Sequence, residues 1–270
     1  MEEDDINTPG SGRQEANVDL PCSSSHSSTV PSLEFQVAGD TSTTLNTGTS
    51  HGESVQIDIS EPCPIECRPL LYAAIKGDWP AAKAFLENYP HHVRTPITEG
   101  QATAFHIAAA AQHTTFITQM LKLIVSTPKV LESETTYGFT ALHSAAQSGN
   151  VRIAEQLVKM NRGLLSIPDR NEDTPLIVAA YLGHKNMVSY LFTQTRLEHL
   201  TNAKRIELLE FTIDNDMFDV ALEILNKDQN IATAGTELWF ESLKKLARKP
   251  FAIGSESQLS FWKSLLKYSC

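Results

Sequence analysis

The chain has 270 residues, 41% hydrophobic and 20% charged, with 32 acidic against 22 basic side chains and a formal net charge of −10. The acidic balance opposes phosphate binding through counterion release, so a nucleic-acid partner is not expected. No run approaches the ~18 to 20 apolar residues of a membrane-spanning helix, and four cysteines in this length make no disulfide framework.

Residues 1–66 hold twelve acidic residues and one basic, Arg13, a net charge of −11 that leaves the rest of the chain near +1. The segment is rich in Ser and Thr, as in Ser23-Ser24-Ser25 and Thr41-Ser42-Thr43-Thr44, with apolar residues thinly scattered. It buries too little to offset chain entropy, and a disordered acidic tail is expected. Its start, Met1-Glu2-Glu3-Asp4-Asp5, lacks the positive and apolar regions of a signal peptide.

Beyond the tail one block recurs: T-A-F-H-I-A-A from Thr103, T-A-L-H-S-A-A from Thr140 and T-P-L-I-V-A-A from Thr174, at spacings of 37 and 34 residues. Thr supplies a capping oxygen and Pro175 a preset φ for a first helix. The Ala pairs leave room for a neighbouring helix to approach closely. Gly149 and Gly183 permit a tight turn, and Val151, Ile153, Ala154, Leu157 and Val158 place an apolar stripe on a second helix. One such pair cannot bury its own face, so the units must stack. A weaker copy lies 35 residues upstream of Thr103, at Arg68-Pro69-Leu70-Leu71-Tyr72-Ala73-Ala74 with Gly77-Asp78. Another runs from Ile206 to Leu225, without the Thr and the Gly, and a sixth from Glu241 to the end of the chain.

These blocks resemble the ankyrin repeat, with its T-P-L-H-x-A-A opening and Gly-His or Gly-Asn turn. The resemblance implies an all-α ankyrin-repeat solenoid of stacked helix-turn-helix units over 67–270. The units lie near 68–100, 103–135, 140–170 and 174–203, with degenerate units near 206–235 and 241–270. Fraying is expected to begin in the last two, because lost Gly and Thr positions weaken both unit and interface terms. His106 and His143, fourth in the motif, are implied to hydrogen-bond backbone across the turn between units.

Four further runs resemble plant ankyrin proteins of the accelerated-cell-death and salt-tolerance type: Leu71 to Trp79, Ala82 to Leu86, Phe218 to Leu222 and Leu246 to Pro250. That resemblance implies stress or defence signalling. Its members usually continue into further repeats and four membrane helices bearing a Pro-Gly-Gly motif, which this sequence lacks. The expectation is therefore divided among a short paralogue, a truncation that pairs with full-length relatives, and the cytosolic half of a membrane-anchored signalling or channel-like protein. A cytoplasmic location is expected, or the cytoplasmic face of a membrane.

No phosphate loop, nucleophile elbow or His-Glu-x-x-His pattern occurs, so neither catalysis nor a cofactor is expected. Cys63 and Cys67 have no second Cys/His pair at zinc-finger spacing, and no metal is expected. Other proteins are the expected partners, ankyrin-family membrane proteins among them. Membrane contact is expected only through a partner, a lipid on cysteine, or the basic residues Lys244, Lys245, Arg248, Lys249, Lys263 and Lys267. The resemblance places partner contacts on hairpin fingers before each block: Thr98, Glu99 and Gln101; Glu134, Thr136, Tyr137 and Phe139; Arg170, Asn171, Glu172 and Asp173. Tyr137 and Phe139 are the expected anchors, as exposed aromatics at a loop tip. Tyr72, Ser144, Gln147, Ile177 and Tyr181 are expected along the inner face.

Overall fold

A computed structural model describes residues 67–228 and Lys244. The acidic tail, the sixth unit and the basic residues beyond Lys244 lie outside the described residues, as do Cys22, Cys63 and Cys270. Ten α-helices and no strand occur among the described residues. They form five helix pairs: α1 Arg68–Lys76 with α2 Trp79–Asn88, α3 Ala104–Ala110 with α4 Thr114–Leu123, α5 Ala141–Ser148 with α6 Val151–Met160, α7 Pro175–Tyr181 with α8 Lys185–Gln194, and α9 Asn202–Asp214 with α10 Phe218–Lys227. A short 3-10 turn follows each of the first four pairs.

The first helices α1, α3, α5, α7 and α9 pack on one another in chain order, and α2, α4, α6 and α8 form a second layer behind them. Every residue of α3 is buried, because a helix sandwiched between two neighbours and its own partner has no solvent face. Ala108, Ala109, Ala145, Ala146, Ala179 and Ala180 are fully enclosed, and their small size sets how closely the helices approach. One continuous core runs through the stack, so each unit is held by its neighbours as much as by itself.

Polar bridges repeat along this core. The first-helix carbonyl of Ile75 accepts from His113 Nε2 at 2.8 Å, and the equivalent carbonyl of Gln147 accepts from His184 Nε2 at 2.7 Å. One position earlier, Ala109 accepts from Ser148 Oγ at 3.0 Å and Ala180 from Asn215 Nδ2 at 2.9 Å. The carbonyls of Ile75 and Gln147 thus find their partner in the next unit, while those of Ala109 and Ala180, which already accept the N–H of Gln112 and Gly183, gain a second one.

Two departures from regularity have local causes. The 37-residue spacing arises in the second unit, where Ile124 to Thr127 separate α4 from its 3-10 turn, against the single residue Asn161 in the third. The extra residues form a turn closed by Thr127 N–H on the Ile124 carbonyl at 2.8 Å. In the fifth unit α9 runs for 13 residues from Asn202, capped by Thr201, whose Oγ1 accepts the Lys204 N–H. Its first helix therefore begins earlier than the expected start near 206, and it has a capping threonine after all. Only Leu200 and Thr201 separate it from the preceding 3-10 turn, so added helix stands where earlier units have a finger. Arg205 pairs with Asp228, and Lys227 Nζ sits 4.5 Å from the Phe192 ring centroid, tying α10 to α8.

Candidate functional site

Three fingers precede α3, α5 and α7, and one side chain pins each. Thr98 Oγ1 accepts the Ala102 N–H at 3.0 Å. Thr135 Oγ1 accepts the Phe139 N–H at 3.1 Å. Asp169 Oδ1 accepts the N–H groups of Asn171 and Asp173, each at 2.8 Å. A left-handed residue completes each turn: Gln101, Gly138 and Glu172 at φ 60, 80 and 63. The fingers also pair edge to edge, through Thr136 N–H on the Gly100 carbonyl at 2.9 Å and Arg170 N–H on the Tyr137 carbonyl at 3.1 Å. Local pinning and lateral pairing give a rigid row.

The row is fastened to the stack through two histidines. Nδ1 of His106 accepts the Thr103 N–H at 3.1 Å while Nε2 donates to the Phe139 carbonyl at 2.9 Å. His143 repeats this with the Thr140 N–H at 3.0 Å and the Asp173 carbonyl at 3.1 Å. Burial lowers both imidazoles to a pKa of about 4, so each is neutral at pH 7, with its proton on Nε2. Both ring nitrogens are occupied, which leaves neither ring to act as a base. Thr103 and Thr140 complete capping boxes with these histidines. In the fourth unit Ile177 replaces the histidine, and the buried Thr174 hydroxyl finds no hydrogen-bond partner.

This fastening overturns part of the expected contact set. Phe139 is 1% exposed, its ring 5.6 Å from that of His143, and it is no fingertip anchor. The residue before Thr140 or Thr174 must turn its carbonyl toward the preceding unit's histidine, which carries its side chain inward. Asp173 occupies the same position and is buried, with Lys204 Nζ 2.5 Å from its carboxylate. Burial pushes that carboxyl up to about 6 against the pull of Lys204. Burial alone would lower Lys204, but its hydrogen bonds to Asp173 and Glu207 prevail and raise it. Burial likewise raises Asp169. Thr98 is buried in its pinning role, and Ser144, Gln147 and Ile177 are enclosed between first helices rather than lining an open face.

What remains accessible is narrower. Glu99, Gln101, Glu134, Arg170, Asn171 and Glu172 are exposed and Thr136 is half-buried. Tyr137 is 41% exposed at the tip of the central finger. On the inner face Tyr72 is exposed, and Tyr181 is half-buried with its ring edge-on to Phe211 at 5.2 Å. The surface offers one aromatic side chain flanked by charged and amide groups on a preformed row. The pinning residues Thr135 and Asp169 were missed as such, although each stands five residues before a block threonine.

The family model described as ankyrin repeats (3 copies) matches residues 70–164 and 119–203. None of the curated proteins compared with the chain matches it.

Proposed function

From a chain that carries ankyrin repeats across residues 70–203, we infer an adaptor that holds another protein on its finger row and has no chemistry of its own. The observation that carries this reading is the row itself. Three turns, each pinned by its own side chain and hydrogen-bonded to the next, present Glu99, Tyr137, Arg170 and Asn171 without needing to be ordered by a partner. A preorganised surface loses little entropy on binding, and a partly exposed tyrosine among polar groups suits a central anchor. A photo-crosslinking residue at position 99, exposed on the first finger, should capture a partner in cells, and Arg170→Ala with Asn171→Ala should weaken the capture. The same probe at Ser189, exposed on α8, should not capture it. Equal capture at both positions would end this assignment.

A finer reading places the adaptor in plant stress or defence signalling, in the cytoplasm or at the cytoplasmic face of a membrane. Its support is the resemblance of Leu71 to Trp79 and the three shorter runs. No helix among the described residues is long and apolar enough to cross a membrane. A membrane-anchored form would need apolar helices outside them, or a full-length relative with which this chain pairs. Fractionation of the untagged endogenous protein with its intact mass separates these. A species of these 270 residues in the soluble fraction favours the free adaptor, and a heavier, detergent-requiring species favours the anchored form.

A further inference from the structure

Three Thr-Pro dipeptides fall within residues 67–228: Thr95-Pro96, Thr127-Pro128 and Thr174-Pro175. The fold treats them differently. The hydroxyl oxygens of Thr95 and Thr174 are buried and have no hydrogen-bond partner, so no enzyme can reach them without unfolding the unit. Thr127 closes the extra turn of the second unit, half-buried and beside the exposed Val125 and Ser126, with Val125 at 66% exposure. In a repeat array, extra residues in one unit form a surface loop and do not disturb the stack.

A second observation points to what Thr127 would carry. Its Oγ1 accepts a hydrogen bond from Arg94 Nη2 of the first unit at 3.3 Å. Arg94 is exposed, and no carboxylate pairs with it among the described residues. Lys129 stands exposed two residues further along. Glu132, the acid of the same 3-10 turn, is engaged by Asn161 Nδ2 at 2.9 Å. A guanidinium held over a hydroxyl, with a second cation close in sequence, is prepared for an oxyanion in place of that hydroxyl.

We propose that Thr127 is a phosphoacceptor for a proline-directed serine/threonine kinase and that Arg94 clasps the resulting phosphate, linking the first two units. The Thr127 oxygen bonds to the γ-phosphorus of ATP as the bond from that phosphorus to the β,γ-bridging oxygen breaks. ADP leaves, and the hydroxyl proton passes to the kinase's carboxylate base. The product places a dianion beside Leu123 and Val125, two exposed apolar side chains, and changes the character of that surface. The proposal is independent of the finger row.

The full chain is treated with a proline-directed kinase and magnesium ATP, its phosphates are mapped by mass spectrometry, and a peptide of residues 122–132 reports kinase activity. Phosphate on Thr127, with Thr95 and Thr174 bare, is expected. A bare Thr127 while the peptide is labelled overturns the proposal, as does labelling of Thr95 or Thr174 in the folded chain. Thr8→Ala removes the remaining Thr-Pro site, in the N-terminal segment, so that thermal unfolding reports Thr127 alone. The phosphorylated chain should melt about 3 °C higher, and Arg94→Gln should keep the phosphate and lose the increment. No increment, or the same one in Arg94→Gln, removes the clasp.

Discussion

The imidazole of His184 lies directly over Gly149 of the preceding unit, where an added Cβ would come within 2.9 Å of Nδ1. The same ring donates to the carbonyl of Gln147 at 2.7 Å. Gly149 is therefore required twice, for its left-handed φ of 70 and for the space above it. His113 over Gly77 repeats the arrangement, with a Cβ at 2.6 Å from Nδ1. Gly149→Ala should cost about 2 to 3 kcal/mol, of which about 1 to 2 is left-handed backbone strain. Measured against His184→Ala, which itself loses the Gln147 hydrogen bond, Gly149→Ala should cost only the backbone part, the steric part being recovered. Urea unfolding of the single and double variants checks this, and full recovery would mean that backbone conformation contributes nothing.

Where the turn of the second unit needs the same left-handed backbone, the chain has Gln112 at φ 62. The residue that follows it in the stack is the smaller Asn150, whose Nδ2 lies 3.5 Å from the Gln112 carbonyl. Gln112→Gly should stabilise by roughly 0.5 to 1 kcal/mol, because relief of strain exceeds the entropy that glycine adds to the unfolded chain. A higher urea midpoint is expected, and a lower one would mean that Gln112 makes a contact worth more than its strain.

Thr140 and Thr174 occupy one repeat position with opposite consequences. Thr140 serves a capping box with His143, whereas the Thr174 hydroxyl is buried and unpartnered beside Ile177. Thr140→Val should cost about 1 to 2 kcal/mol, while Thr174→Val should be neutral or slightly stabilising. Denaturant midpoints of the two variants compare them directly.

Tyr137 and Phe139 separate binding from folding. Phe139→Ala opens a cavity beneath the finger row and should destabilise by about 3 to 5 kcal/mol. Tyr137→Ala should leave the melting temperature within about 2 °C of the parent and abolish crosslinked capture of the partner from the neighbouring fingertips. Loss of stability in Tyr137→Ala would make the tyrosine structural.

Stability should fall as pH drops from about 6.5 toward 4. His106 and His143 are held near 4 by burial, so in that window the unfolded chain binds protons that the folded chain refuses. Each histidine contributes of order 3 kcal/mol that is present above the window and lost through it. Asp173, raised to about 6 by burial, acts in the opposite sense, because its folded carboxyl takes up a proton first. Asp169, also raised by burial, acts in the same sense as Asp173, and the two imidazoles outweigh the two carboxyls. Urea midpoints between pH 4.5 and 7 test the sign, and a flat profile would contradict neutral, buried histidines.

The repeat spacing, Thr caps, left-handed glycines and Ala pairs were all legible in the sequence, because each answers a local requirement of helix start, turn or close approach that recurs every unit. The 37-residue interval already contained the extra turn at Ile124 to Thr127, since a fold that repeats its geometry can only place surplus residues in a loop. Recurrence could not say which side of a finger faces inward. Phe139 and Asp173 read as tips in the sequence, and they are buried because their carbonyls must meet His106 and His143 from the preceding unit. Ser144 and Gln147 were assigned to an open face, yet close packing of successive first helices encloses them. The absence of a fourth finger also had no periodic signal, because the added helix at Asn202 rests on Thr201 and on Lys204 reaching back to Asp173. Residue type and spacing are local properties, so the sequence alone determined the unit and its number of residues. Burial is decided by the neighbouring unit, so only the assembled stack determined which side chains remain available to a partner.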